Sequence, residues 1–221
     1  GVNIVLELPF IYGTQSADTF ANMSIKLLNK LNVNKIIFGS ECADITLLEK
    51  LADTQLEPEF GKKVKAYLDE GINYPTALAK ATKIDFEYKP NDLLGISYIK
   101  AIKENKFNIK QECIKRTNDY HDLHSNEEII SASNIRNKLK LNENISKYLP
   151  NEVIDDLIKI NKDMYFNLLK SKIITDDNLN DYLDVDEGIE YRLKKNIITS
   201  NNIDEFIDKV KTKRYTYNKL N

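Results

Sequence analysis

Lys35-Ile36-Ile37-Phe38-Gly39 is a short β-branched run that ends in glycine, the pattern of a parallel strand buried on both faces. Its neighbours extend the reading. Upstream, residues 16–31 carry apolar positions Phe20, Met23, Ile25, Leu27, Leu28 and Leu31 with Asp18 near the start, a helical period. Further upstream, Ile4-Val5-Leu6 reads as another strand. Downstream, residues 59–70 read as a helix stopped by Gly71, and 75–82 as one started at Pro75. Pro90-Asn91-Asp92 opens a helix through Leu94, Ile96, Ile99 and Ile102, and Phe107 to Lys115 reads as a strand. Strands alternating with helices of this length predict a parallel sheet with helices on its faces over residues 1–140. From 141 to 221 only helical periods follow, around Val153 to Ile158, 161–172, 188–198, and a last helix capped by Asn202. The expected fold is α/β, a Rossmann-like parallel sheet followed by a small all-helical domain.

Composition limits what such a chain does. Its 221 residues hold 42% hydrophobic and 30% charged side chains, enough for an ordinary core. A formal net charge of -2 excludes a surface that is basic throughout, so any nucleic-acid contact must be a local patch. No apolar run approaches the roughly 18 residues of a membrane span, and no leader pattern is present. Cys42 and Cys113 suit neither a disulfide framework nor a zinc motif, which suggests a reducing, cytoplasmic setting. Gly1 in place of Met, and an end at Asn221 just past a basic stretch, read as a piece of a longer protein.

Charge is uneven along the helical part. Residues 176–190 hold seven acids and no base, whereas 209–219 hold five bases and no acid, interleaved with Tyr215 and Tyr217. Such blocks are ordinarily solvated helix faces, and they also suit an RNA backbone.

The constellation with the clearest chemistry is Ser131-Ala132-Ser133-Asn134-Ile135-Arg136. Two hydroxyls before a helix, with an Arg one turn in, present donors and positive charge to a phosphate. A capped surface helix is the ordinary alternative. Gly39, after its strand, lies at the carboxyl edge of the sheet, where nucleotides bind in such folds. Arg116 follows the other strand to the same edge, and Asn91 sits at a helix start. A turn, an ion pair and an N-cap are the respective alternatives. His121 and His124 have a ligand-like spacing but no third partner, so no metal site is expected. Neither G-x-x-x-x-G-K-[ST] nor G-x-G-x-x-G occurs.

Taken together, Glu7-Leu8-Pro9-Phe10, Thr14-Gln15-Ser16-Ala17-Asp18, Phe38-Gly39-Ser40-Glu41, Lys89 to Gly95, the S-x-S-x-I-R stretch, Gly188 to Arg192 and Lys211 to Thr216 resemble the bacterial tRNA(Met) cytidine acetate ligase family. That family is related to the HxGH nucleotidyltransferases. The resemblance implies activation of acetate by ATP to acetyl-adenylate, with magnesium as the counter-ion of ATP. The acetyl group then passes to N4 of the wobble cytidine of elongator tRNA(Met); neither DNA nor a membrane is implied. On it, Gly39, Asn91 and Arg116 match ATP-binding positions, and Ser131, Ser133 and Arg136 match the phosphate loop. The helical domain becomes the tRNA-binding part, with Arg192, Lys194, Lys195, Lys211, Lys213 and Arg214 as contacts and Tyr215 or Tyr217 to stack on a base. The HxGH signature is absent from these residues, so this stretch alone is expected to be inactive. Two other classes stay open: a nucleotidyltransferase that adenylylates a small cofactor precursor, and a non-enzymatic RNA-binding module.

Overall fold

The computed structural model describes residues 2–116, 124–150, 153–154, 161–212 and 215–220. The chain divides into two compact units, Gly1–Tyr148 and Leu149–Asn221.

The first unit is built on two parallel strands, β1 (Lys35–Ser40) and β2 (Lys110–Lys115), in a register that sets Phe38 opposite Cys113 and Gly39 opposite Ile114. Before β1 come α1 (Phe10–Gly13) and α2 (Ala17–Lys30). The crossover between the strands runs through α3 (Ile45–Gln55), α4 (Phe60–Asp69), α5 (Tyr74–Thr82) and α6 (Pro90–Glu104). After β2 comes α7 (Ala132–Lys140). Parallel strands require such a crossover, because no tight turn can reverse the chain twice.

Helix α6 is the central packing element. With α3, α4 and α5 it closes a core of Leu48, Leu51, Phe60, Leu78, Ile96 and Ile99. With α2 and β1 it closes a second core of Ile25, Ile36, Ala101 and Ile102. Gly95 lets α6 lie directly on β1: a Cβ there would collide with Cε2 of the Phe38 ring. Across the same helix, the Asp18 carboxylate accepts from Ser97 Oγ at 2.7 Å and pairs with Lys100 at 2.8 Å. Burial pushes the Asp18 carboxyl upward, but these two donors outweigh it and hold the group below its usual value.

Two expectations need correction, and one helix is additional to them. Ile4-Val5-Leu6 forms no strand: residues 2–9 have no regular structure, and Val5 is 85% exposed. A β-branched run becomes a strand only beside a hydrogen-bonding neighbour, and no described residue pairs with it. The second strand begins at Lys110, not Phe107. Lys106 turns left-handed at φ 54° and the Phe107 amide bonds back to Ile102, which ends α6 before extension begins. Helix α3 is an element the sequence reading passed over, although Asp44 caps it by accepting from the Leu47 amide.

The second unit contains α8 (Lys162–Thr175), a 3-10 turn (Leu179–Asp181), α9 (Ile189–Ile197), α10 (Ile203–Val210) and α11 (Tyr217–Leu220) around Phe166, Ile173, Ile197, Phe206 and Val210. Asn202 caps α10 by accepting from the Glu205 amide. The Val153 and Ile154 amides bond to the Pro150 carbonyl, and residues 155–160 of the expected helix lie outside the described residues.

Lysine bonds hold the Asp176 and Glu205 carboxyls below their usual values, through Lys172 and Lys209 respectively. A carboxylate lowered on folding stabilises the fold above its unfolded pKa and ceases to do so as pH falls through the folded value. The melting midpoint of this unit should therefore hold from pH 7 to about 5 and fall below about pH 4. Asp176→Asn should remove part of that acid sensitivity in circular-dichroism melts. An identical acid profile in the variant would show that Asp176 contributes nothing to it.

Candidate functional site

The carboxyl ends of β1 and β2 lie beside the starts of α6 and α7. Gly39 leaves room for the next strand's exit: a Cβ there would stand 3.1 Å from Cγ of Arg116, so the arginine stem lies across the bare backbone. The Arg116 amide donates to the Ser40 carbonyl at 2.9 Å, which continues the ladder one step beyond β2.

The turn after β1 and the start of α6 hold each other through two carboxylates. Asp92, 1% exposed, accepts from Ser40 Oγ at 2.5 Å, the Glu41 amide at 3.0 Å and the Cys42 amide at 3.2 Å. In return, Glu41 accepts from the Asp92 amide at 3.0 Å and from Asn91 Nδ2 at 2.6 Å. Pro90 at the first helical position leaves no amide there to satisfy, so Glu41 covers the next two. The N-terminus of α6 is thus already met by protein carboxylate.

At α7 the arrangement differs. Ser131 Oγ accepts from the Asn134 amide at 3.1 Å, which directs the first turn, and Arg136 Nη2 donates to Ser133 Oγ at 3.2 Å. The guanidinium therefore folds back toward the helix start, where the dipole is positive. Asn134 is buried and donates Nδ2 to the Ser125 carbonyl, tying the preceding loop to α7.

All six residues singled out at the sheet edge line one cleft of about 530 Å³: Gly39, Asn91, Arg116, Ser131, Ser133 and Arg136. Lys115 and the apolar Ile114, Ile129, Ile130 and Ala132 also line it, so among the described residues three cations and no acid face it. Arg116 Nε is buried with no hydrogen-bond partner among the described residues, a donor left for an anion. Such a lining suits a polyanion with an apolar portion. Its described lining suits positioning and charge stabilisation.

The whole chain, residues 1–221, matches the family model for the HIGH Nucleotidyl Transferase. A tRNA(Met) cytidine acetate ligase of Mycoplasma mobile is 39% identical over 227 residues, covering 100% of this chain and 75% of the relative. The chain belongs to the tRNA(Met) cytidine acetate ligase family. The ligases of Anoxybacillus flavithermus and Caldicellulosiruptor saccharolyticus are 36% and 38% identical, and this chain spans 60% and 59% of their length. Among solved structures, Thermotoga maritima TmcAL in its apo form superposes with a TM-score of 0.82 at 24% identity, over 100% of this chain and 59% of that one. The same protein bound with alpha-thio ATP gives 0.78, also at 24% identity. These likenesses establish the Rossmann-like α/β fold.

The second unit disposes its basic residues differently from a free cationic face. Arg192 donates Nε to the Val210 carbonyl at 2.7 Å and Nη2 to that of Lys209 at 2.9 Å, closing the end of α10. Lys194 pairs with Asp177 and Lys211 with Asp208, while Lys195 is exposed. Lys213 and Arg214 lie outside the described residues, as does His121. Tyr215 cannot stack on a base: it is 5% exposed, with its ring packed in the core and its hydroxyl bonded to Asp184 and Asp186. Tyr217 is 44% exposed. Among the described residues no three His, Cys, Asp or Glu side chains gather as a metal site, and no helix is long and apolar enough to cross a membrane.

The sequence reading missed the Glu41 and Asp92 pair and Lys115. The pair had a local signal, acids beside a Pro-started helix. Lys115 had none, because which strand-end side chain enters the cleft depends on register.

Proposed function

We propose that the chain forms the ATP-binding and tRNA-binding part of a cytoplasmic ligase that acetylates N4 of the wobble cytidine of elongator tRNA(Met). The observation that carries this is the single cleft that gathers Gly39, Asn91, Arg116, Ser131, Ser133 and Arg136 in a member of this family. An acetate oxygen attacks the α-phosphorus of ATP, and the bond to pyrophosphate breaks. The N4 lone pair then attacks the acetyl carbonyl, the acyl C–O bond breaks, AMP leaves with the bridging oxygen of the mixed anhydride, and an N4 proton passes to solvent.

The polarity of the cleft orients the nucleotide. The α6 terminus carries its own carboxylates, so the triphosphate lies at the other end, between Arg116 and the α7 start with Ser131, Ser133 and Arg136. Magnesium, in this reading, accompanies the phosphates as their counter-ion.

For the RNA, Lys194, Lys195, Lys211, Lys213 and Arg214 are the candidate contacts. The ion pairs of Lys194 and Lys211 are exposed and worth little, so a phosphate can displace Asp177 or Asp208. Arg192 supports the fold at the end of α10, and its loss would confuse any binding test. The experiment is titration of tRNA(Met) over a range of salt, with detection of N4-acetylcytidine when ATP and acetate are supplied. Alanine at Lys211, Lys213 and Arg214 should reduce the salt slope by about 2 to 3. An unchanged slope would move the RNA site elsewhere, and absence of acetylated cytidine from the full-length enzyme would remove the reading itself.

A further inference from the structure

Asn91 lines the cleft with one side-chain amide, which has a donor end and an acceptor end. Glu41 decides which end meets a ligand. A carboxylate only accepts, and Glu41 Oε1 stands 2.6 Å from Asn91 Nδ2. That distance engages one N–H of Nδ2 with Glu41 and fixes which way the amide is turned, with Oδ1, its acceptor, on the side away from Glu41. Glu41 is itself fixed. Its Oε2 accepts from the Asp92 amide at 3.0 Å, and its own amide donates to the buried Asp92 carboxylate at 3.0 Å. Neither partner can turn without stranding the other.

An amide locked in one orientation discriminates only between partners of fixed polarity. A ribose hydroxyl donates and accepts, and it would be indifferent to the lock. A purine 6-amino group only donates, whereas a 6-oxo group only accepts. We infer that Glu41 is a positioning residue that holds Asn91 Oδ1 toward the 6-amino group of adenine and so selects adenine over 6-oxo purine nucleotides. This rests on the nucleotide reading above and adds the base-selecting contact to it.

Glu41→Gln makes the test specific. The carbonyl of the substituted side chain can still accept from the Asp92 amide, which places its NH2 against Asn91. The Asn91 side chain then answers that NH2 by turning over, giving Oδ1 to it and presenting Nδ2 to the cleft, with only the 3.4 Å bond from the Asn91 backbone amide lost. The experiment is calorimetric titration of the full-length protein with ATP and with inosine triphosphate, for wild type and Glu41→Gln. A buried polar group left unmatched costs on the order of tenfold or more in affinity. Wild type should prefer ATP by about that factor, and the variant should lose or invert the preference. Simple loosening of the turn would weaken both nucleotides alike and leave their ratio unchanged. An unchanged ratio in the variant, or equal binding of the two nucleotides by wild type, would overturn the assignment while leaving the nucleotide site intact. Failure of wild type to bind either nucleotide would instead remove the nucleotide reading, and this assignment with it.

Discussion

Arg136→Ala in the full-length enzyme should lower acetate-dependent pyrophosphate release by about 30- to 1000-fold, equivalent to about 2–4 kcal/mol of lost transition-state stabilisation. The side chain is exposed and its one described bond is to Ser133 Oγ, so its removal should change stability by no more than about 0.5 kcal/mol. The loss would therefore report on chemistry. Negative charge grows on the leaving pyrophosphate as the bond to the α-phosphorus breaks, and a guanidinium turned back over the α7 start can meet it with two parallel donors. Arg136→Lys should recover only part of the rate, because an ammonium keeps the charge but not the planar fork. Undiminished release from Arg136→Ala, with unchanged melting, would take the phosphate role from this residue.

Much of this site is legible in the sequence because its parts are short-range. A glycine at a strand end, a proline-started helix and a Ser pair before an Arg are each local statements about backbone and capping. Each was recovered as geometry: β1 ends in Gly39-Ser40, Pro90 starts α6, and Ser131 caps α7. What local patterns do not encode is who faces whom. Asp92 and Ser40 lie 52 positions apart yet bond at 2.5 Å, and nothing around either residue announces the other. The Ile4-Val5-Leu6 run failed for the same reason, since strand propensity without a partner strand fixes no ladder. Tyr215 failed differently. Its place in a basic stretch suggested exposure, but an aromatic ring carries more burial energy than its neighbours' charge can oppose, and its hydroxyl found partners in the acidic block. Within the acidic block Asp176 pairs with Lys172 and Asp177 with Lys194.

The second large effect is on stability, and it falls on the hinge of the site. Asp92→Ala should destabilise the Gly1–Tyr148 unit by about 3 to 5 kcal/mol, because it strands three donors at once. The Ser40 hydroxyl is fully buried, and the Glu41 and Cys42 amides have no other acceptor placed for them in this turn. For a unit of this size the melting midpoint should fall by about 10 °C or more. The turn is otherwise held by the Ala43 amide on Ser40 Oγ, with Ala43 at φ 55°, a conformation that an alanine does not adopt freely. Without Asp92 that strain has nothing to oppose it, so the turn should open and carry Glu41 away from Asn91. Asp92→Asn should cost less, because Oδ1, the oxygen that accepts all three bonds, is kept as the amide oxygen and only the negative charge is lost. The ordering wild type, Asn, Ala in melting midpoint, with nucleotide affinity lost in the same order, is the expected result. An Asp92→Ala protein that melts within about 2 °C of wild type would show that water replaces the carboxylate without penalty, and the clasp would then not be what positions Gly39 and Asn91.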